Sequence, residues 1–395
     1  MDINIVSDND ARPTGIAGKR CPGMINCKKK STTVLLLVTV LFASMMLGGC
    51  RRGEEEPYEE QNEKTETPMI IDEGPDEDEP YIDLGPRAIF TGLPIDEEII
   101  GRRPMAVVLN NNLQSWPHSG MVHADVIYEV LAEGGLTRLV GIFQSQMSDK
   151  IGPARSARDY LVDFALNHDA IFVHHSHNRY AMDRINYFGV DRLDGFNLEG
   201  VAFLRDATFP EWSGITGSRM WEHSGFFNAN DALAHIANTG MRGTINEALD
   251  FGFSFGEIAA DIEPSGVAME INIPFSGAYP RTFRYDEATG LYLVYNHHGA
   301  YRDAETGDHV GITNILVQIT SHYVRDEELG VLYVTTVGKG PGYFAVAGEK
   351  FAVTWEKSSH TSPMRWYFEN GDPLILSPGK TWINVFSGSG HITFE

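Results

Sequence analysis

Ala124-Asp125-Val126-Ile127-Tyr128-Glu129-Val130-Leu131, then Glu133-Gly134-Gly135, then residues 137–145 beginning Thr137-Arg138-Leu139-Val140, is the stretch that decides the fold. The first run is rich in Val, Ile and Tyr and reads as a strand, and the second reads the same way. The Gly pair between them supplies a tight turn, so the strands should pair antiparallel. Side chains alternate across a strand, so Asp125, Ile127, Glu129 and Leu131 share one face, and Val126, Tyr128 and Val130 share the other. Two acids on one face could serve a shared partner.

Reading outward, Met105-Ala106-Val107-Val108-Leu109-Asn110 is a buried strand ended by the polar run Asn110-Asn111-Asn112. After the hairpin, Ala157, Leu161, Phe164, Ala165 and His168 keep helical spacing. Gly152-Pro153 and Ser156 form a plausible start for that helix. Ile171-Phe172-Val173-His174 is the next strand, residues 178–187 a second helix, and 229–237 a third. Residues 189–225, rich in Gly, Phe and Trp, read as a long packed loop. Strands and helices intermix, so residues 88–248 are expected to form a mixed α/β sheet domain with helices. From 262 to 395 short strand-like runs alternate with turn signals such as Glu305-Thr306-Gly307 and Asn370-Gly371-Asp372. That spacing predicts a mostly β domain, a barrel or sandwich. The fold class is therefore α+β followed by a mostly β C-terminal domain. Exposed Trp or Tyr in that second domain could stack on glycan rings, although most should be core.

The 395 residues carry 31 Lys+Arg against 54 Asp+Glu, a net charge of −23. Residues 1–50 sum to +3, residues 51–85 to −11 and residues 86–395 to −15. The folded part is acidic, which argues against nucleic acid as a partner, because phosphate-backbone binding needs a basic face. Residues 51–85 combine repeated acids with Pro and few apolar side chains. Such a segment repels itself and cannot collapse into a core, so residues 50–87 are expected to be a disordered linker.

The three cysteines are Cys21, Cys27 and Cys50. Lys28-Lys29-Lys30, an apolar run from Val34 to Leu47, and Leu47-Gly48-Gly49-Cys50 follow the order of a signal peptide. The apolar run is shorter than the ~20 residues that a spanning helix needs. Residues 1–49 are thus expected to be a leader, with Met24 as an alternative start giving a signal of ordinary length. Leu-Gly-Gly-Cys resembles the lipobox of bacterial lipoproteins. It implies a lipid on Cys50 and a tether to the outer face of the cytoplasmic membrane.

The most chemical stretch is Gly152-Pro153-Ala154-Arg155-Ser156-Ala157-Arg158-Asp159. Arg155 and Arg158, three apart at a helix start, would project together beside free backbone N–H groups and the positive end of the helix dipole. Paired guanidiniums there suit phosphate or carboxylate. Arg138, Arg155, Arg158, Asp159 and His174 are the candidate anion-binding residues, with Asp125, Glu129 and Glu133 as candidate acidic partners. The alternative is a structural set of ion pairs, Arg155 with Asp159 and Arg158 with Asp163 or Glu129. His174-His175-Ser176-His177 lacks a longer metal-ligand signature, so neither a metal site nor a cofactor is expected. His174, ending a buried strand, reads as a hydrogen-bonded pocket residue.

The hairpin motif, Ile151 to Tyr160, Val353-Thr354-Trp355-Glu356-Lys357 and Pro378-Gly379-Lys380-Thr381-Trp382 together resemble the YerB-type lipoproteins, a family of unknown function with distinct N- and C-terminal domains. The resemblance covers nearly everything after the linker. It implies fold and location but no reaction. One departure is the His run, of which the family keeps only the first His. The expected function is an envelope-tethered binding protein, its partners being the membrane through Cys50 and an envelope protein, an anionic small molecule or a lipid-linked precursor. A fainter likeness of layout to the LytR-CpsA-Psr phosphotransferases implies the enzyme alternative. There Asp125 would hold Mg²⁺, and Arg138, Arg155 and Arg158 would clamp a polyprenyl pyrophosphate.

Overall fold

The computed structural model describes residues 85–395, all within one compact unit. The expected leader, Cys50 and the linker as far as residue 84 lie outside the described residues. Among the described residues, no helix is long and apolar enough to cross a membrane.

The hairpin sits at the middle of the fold. Strands β1 (Met105–Asn110), β2 (Val126–Leu131) and β3 (Thr137–Phe143) are buried along their whole length. β3 pairs antiparallel with β2, Val126 opposite Ile142, and with β1, Asn110 opposite Arg138. β4 (Ile171–His174) adds parallel to β1, and β5 (Arg192–Asp194) parallel to β4.

On the other side of β2 the sheet continues with strands from the C-terminal half: β6 (Asn314–Ile319), β7 (Gly338–Val346), β8 (Glu349–Lys357), β9 (Arg365–Phe368) and β10 (Thr381–Phe386). The order is β9-β8-β7-β6-β10-β2-β3-β1-β4-β5, and a short Gly266–Val267 strand on β8 makes eleven. β10 lies between β2 and β6 and is parallel to both. The barrel or sandwich expected of the C-terminal half is therefore not what forms. Six of its strands, Gly266–Val267 among them, extend the N-terminal sheet. Six more build a second sheet around Glu270–Pro274, Pro280–Asp286 and Leu291–Asn296, and His322–Asp326 pairs with Val331–Val334 as a separate hairpin. Turn spacing marks strands but does not say which partner each will find, and a parallel partner is always distant in sequence.

Both faces of the large sheet are covered, which is why its strands read as nearly continuous apolar runs. On one face, Val126, Tyr128, Val140 and Ile142 pack against α1 (Asp159–Leu166) and α2 (Arg179–Phe188) through Tyr160, Leu161, Phe164, Ala181 and Ile185. On the other, Val107, Ile127, Leu139 and Trp382 pack against the small sheet through Ile271, Phe283 and Val294, and against α3 (Ala229–Thr239). Asn178 and Asn228 cap α2 and α3 by accepting from the amides of Ala181 and Asp231, as Asn does at helix starts. Residues 189–225 hold short strands, Phe203–Arg205 pairing with Gly225–Phe227, and one-turn helices rather than one loop.

The Pro378-Gly379-Lys380 turn feeds β10 into its slot. The Gly379 amide donates to Thr91 O at 2.7 Å, and the Thr381 amide to Asp125 O. Gly379 has φ +147, and a Cβ there would fall 1.9 Å from Thr313 Oγ1. Gly379→Ala should therefore lower stability by about 2 kcal/mol or more through strain and collision. Ile383→Ala, a fully buried truncation in the same strand, should cost ~2–5 kcal/mol. Urea midpoints measure both, and an unchanged midpoint for either would contradict this account of the strand.

Candidate anion-binding site

β1, β2 and β4 run the same way, so their carboxyl ends share one edge of the sheet. Ligands of open α/β sheets bind at that edge. Asn110, the Ala132–Gly135 turn, the start of β3 and His174 all meet there.

Arg138, the second residue of β3, lies between Asn110 of β1 and Val130 of β2. Its side chain is 5% exposed, Nε has no hydrogen-bond partner, and Nη1 reaches only Thr137 O at 3.4 Å. No carboxylate among the described residues forms an ion pair with it. Burial, then the nearby charge of Arg158, pushes its pKa down to about 10. It remains a cation at neutral pH, and a buried cation without a partner is costly.

Arg158 is the N-cap residue of α1, whose helical turns begin at Asp159. Burial opposes its charge, but Nε donates to Glu133 at 2.8 Å, and that pairing raises its pKa. Arg155 stands three residues earlier in extended chain. Its amide donates to Val108 O, and the Pro153 carbonyl accepts from the Asn110 amide. Its half-buried guanidinium donates through Nη1 to Glu222 O at 2.8 Å. Burial, partly offset by the charge of Glu222, lowers its pKa. Gly152, at φ +150, makes this path possible, since a Cβ there would meet Ala154 N at 2.8 Å. The helix expected from Ala157 thus starts later, and the two arginines meet through an extended segment rather than a helical turn. Arg138, Arg155 and Arg158 feel one another's charge, with Glu133 the single carboxylate paired among them.

The other candidates lie differently. Asp159 is buried and pairs with Arg184 and, at 2.5 Å, with Arg325, not with Arg155. Asp163 takes Arg184 at 2.8 Å and His360 at 2.9 Å, not Arg158. Glu129 forms a buried pair with Arg281 at 2.7 Å and accepts from Asn111 and Thr137. Asp125 sits at the opposite end of β2, where Oδ2 accepts the amides of Gln144 and Ser145 at 2.7 and 2.9 Å. Asp125 and Glu129 thus share no partner, and four residues of strand, about 13 Å, separate them. Nor does Asp125 join the three arginines, so the clamp of the phosphotransferase layout is not assembled.

His174 is buried at the end of β4. Nδ1 meets Ser176 O at 2.8 Å, Nε2 has no partner, and burial pushes its pKa down to about 4 despite Asp194. The strand ends at His174, and Ser176 takes φ +71, so His175 and His177 do not share a strand face. Among the described residues no three His, Cys, Asp or Glu side chains are grouped to hold a metal ion.

Three participants were not read from sequence. Arg281 comes from the small sheet. His223 bonds Asn110 through Nδ1 at 2.6 Å and feels the charges of Arg155, Arg138 and Arg219. Arg219 donates to three backbone carbonyls, those of Ser115, Pro117 and Thr208. The run Asn110-Asn111-Asn112 was the only local signal. The tryptophans of the C-terminal half, Trp355, Trp366 and Trp382, are all buried, so they offer no ring for stacking.

The N-terminal domain model of the protein of unknown function DUF3048 matches residues 90–240, and its C-terminal domain model matches 271–383. The chain belongs to this family. Among DUF3048 relatives, a Bacillus subtilis protein named "Putative lipoprotein YerB" is 29% identical over 305 residues, 76% of this chain and 86% of the relative. The crystal structure of YerB from Bacillus subtilis superposes with a TM-score of 0.68 at 26% identity, covering 79% of this chain and all of that one. The DUF3048 fold, mixed sheet with helices followed by a mostly β part, is thus the one described above.

Two outcomes follow from the buried charges and imidazoles. Glu129→Ala leaves Arg281 buried and unpaired and should cost about 3–5 kcal/mol in urea denaturation. Burial holds His118 and His168 down to about 3 and His174 to about 4. The unfolded chain therefore binds more protons below pH ~6.5, and stability should fall as pH drops from 6.5 toward 4. A urea midpoint flat across that window would contradict the neutral, buried state of these rings.

Proposed function

We propose that the protein is an extracytoplasmic lipoprotein, held by lipid on Cys50 to the outer face of the bacterial cytoplasmic membrane, that binds an anion through Arg138, Arg155 and Arg158. The observation that carries the binding half is Arg138, a buried guanidinium with an unpartnered Nε in a protein with a large excess of acids. Native proteins retain buried, unpaired charge where it serves a function. Guanidiniums offer planar, two-pronged donors that match phosphate and carboxylate. The tether half is supported by the lipobox-like Leu47-Gly48-Gly49-Cys50 and by the relative's name. Acting as a binding protein, it needs no cofactor.

Inorganic pyrophosphate is a suitable first probe. At about a hundredfold over its Kd, it should stabilise the fold by roughly 2.7 kcal/mol, read as a rise in melting temperature. Arg155→Ala should abolish the rise without lowering the unliganded melting temperature appreciably, because its guanidinium donates to a single carbonyl and its backbone bonds survive the substitution. If wild type shows no rise, the anion reading fails. Metabolic labelling with a fatty acid should mark the chain, and Cys50→Ser should remove the label. Persistent labelling of the variant would contradict the tether.

A further inference from the structure

Beside the arginine cluster lies an open cleft of about 650 Å³, within the ~300–1,000 Å³ of small-molecule sites. Trp116, Phe209, Ile215 and Met220 line it, interleaved with hydroxyls such as Thr216 and Ser218. Trp116 stacks on His298, with ring centres 4.9 Å apart and planes 18° apart, and stands edge-on to Trp212. Its indole Nε1 is buried and has no hydrogen-bond partner. Leu113, Trp212, Ile215, Met220 and Trp221 are each 39–67% exposed, a concentration of large apolar side chains that marks a binding surface.

Cleft and cluster meet at one short helix, Trp221–His223. Met220, just before it, lines the cleft, and Glu222 O receives Arg155. His223 lies within the field of Arg138 and Arg155 on one side and Arg219, a cleft residue, on the other. Arg219 forms no ion pair with a carboxylate among the described residues.

From this juxtaposition we propose that the cleft and the arginine cluster are two parts of one site, which takes a phosphorylated sugar. The ring would lie on the aromatic wall with its hydroxyls toward Thr216 and Ser218, and the phosphate would lie toward Arg155 and Arg138. The lining decides between a sugar and a hydrocarbon chain. About half of it is polar, and hydroxyl groups facing a hydrocarbon would lose hydrogen bonds to water without replacement. A sugar has apolar ring faces and polar edges, and aromatic side chains with a wet rim suit both. This assignment rests on the anion reading above.

The test titrates the protein by calorimetry with inorganic phosphate, N-acetylglucosamine 1-phosphate and N-acetylglucosamine. The sugar phosphate should bind about tenfold or more tightly than inorganic phosphate, a gain of ~1.4 kcal/mol. Trp116→Ala should erase that advantage and leave inorganic phosphate binding unchanged. Met220→Ala, at a position 51% exposed and so harmless to the fold, should reduce the advantage. Equal binding of phosphate and sugar phosphate to wild type would overturn the shared site and leave the anion reading standing. Binding of neither would overturn both.

Discussion

The parallel insertion of β10 between β2 and β6 is the constraint on which the rest depends. It joins the two family domains into one sheet, and it does so with strands of both parts buried on both faces. The joints around it are specific. Asp125 holds the end of β3 with its carboxylate and the start of β10 with its carbonyl. Glu129 reaches through to Arg281 of the small sheet. Gly379 lets the chain turn against Thr313 where no side chain fits. Asp125 and Glu129, which from the sequence could have served a shared partner, are consumed in holding this junction.

That use of Asp125 and Glu129 shapes what remains at the carboxyl edge. Glu129 faces the small sheet, whereas Arg138 lies on the opposite face, toward α1. Glu129, paired with Arg281, therefore does not neutralise it. Asp159 and Asp163 point to Arg184, Arg325 and His360 instead. A cluster of three guanidiniums with one paired carboxylate is left in an otherwise acidic fold. An arrangement that opposes stability locally while the surrounding packing enforces it is characteristic of functional positions.

Much of this was legible in the sequence, for reasons that are local. The Glu133-Gly134-Gly135 turn and the alternating residues before it specify the hairpin and its register. Asn178 and the spacing behind it specify α2. The arginines were recognisable as a group, but their geometry was not. Residues 153–155 run along β1 because Gly152 and the backbone of Val108 and Asn110 hold them there, a tertiary effect that helical spacing does not carry. The partner of Glu129 lies 152 residues away in the chain. The aromatic wall beside the cluster joins Trp116 to Phe209, Ile215 and Met220 across about a hundred residues, and no periodicity connects them. Non-local pairing, parallel strands above all, is what pattern reading misses.

Hydrogen–deuterium exchange read peptide by peptide, with and without saturating inorganic pyrophosphate, tests the central claim most directly. A ligand held by Arg138, Arg155 and Arg158 should slow exchange in the Ala132–Arg138 turn and in Arg155–Tyr160, because local opening there would have to release it. β8 and β9, four and five strands away from β2 in the sheet, should be unaffected. Slowed exchange confined to other segments, or none at saturating pyrophosphate, would contradict the proposed anion site.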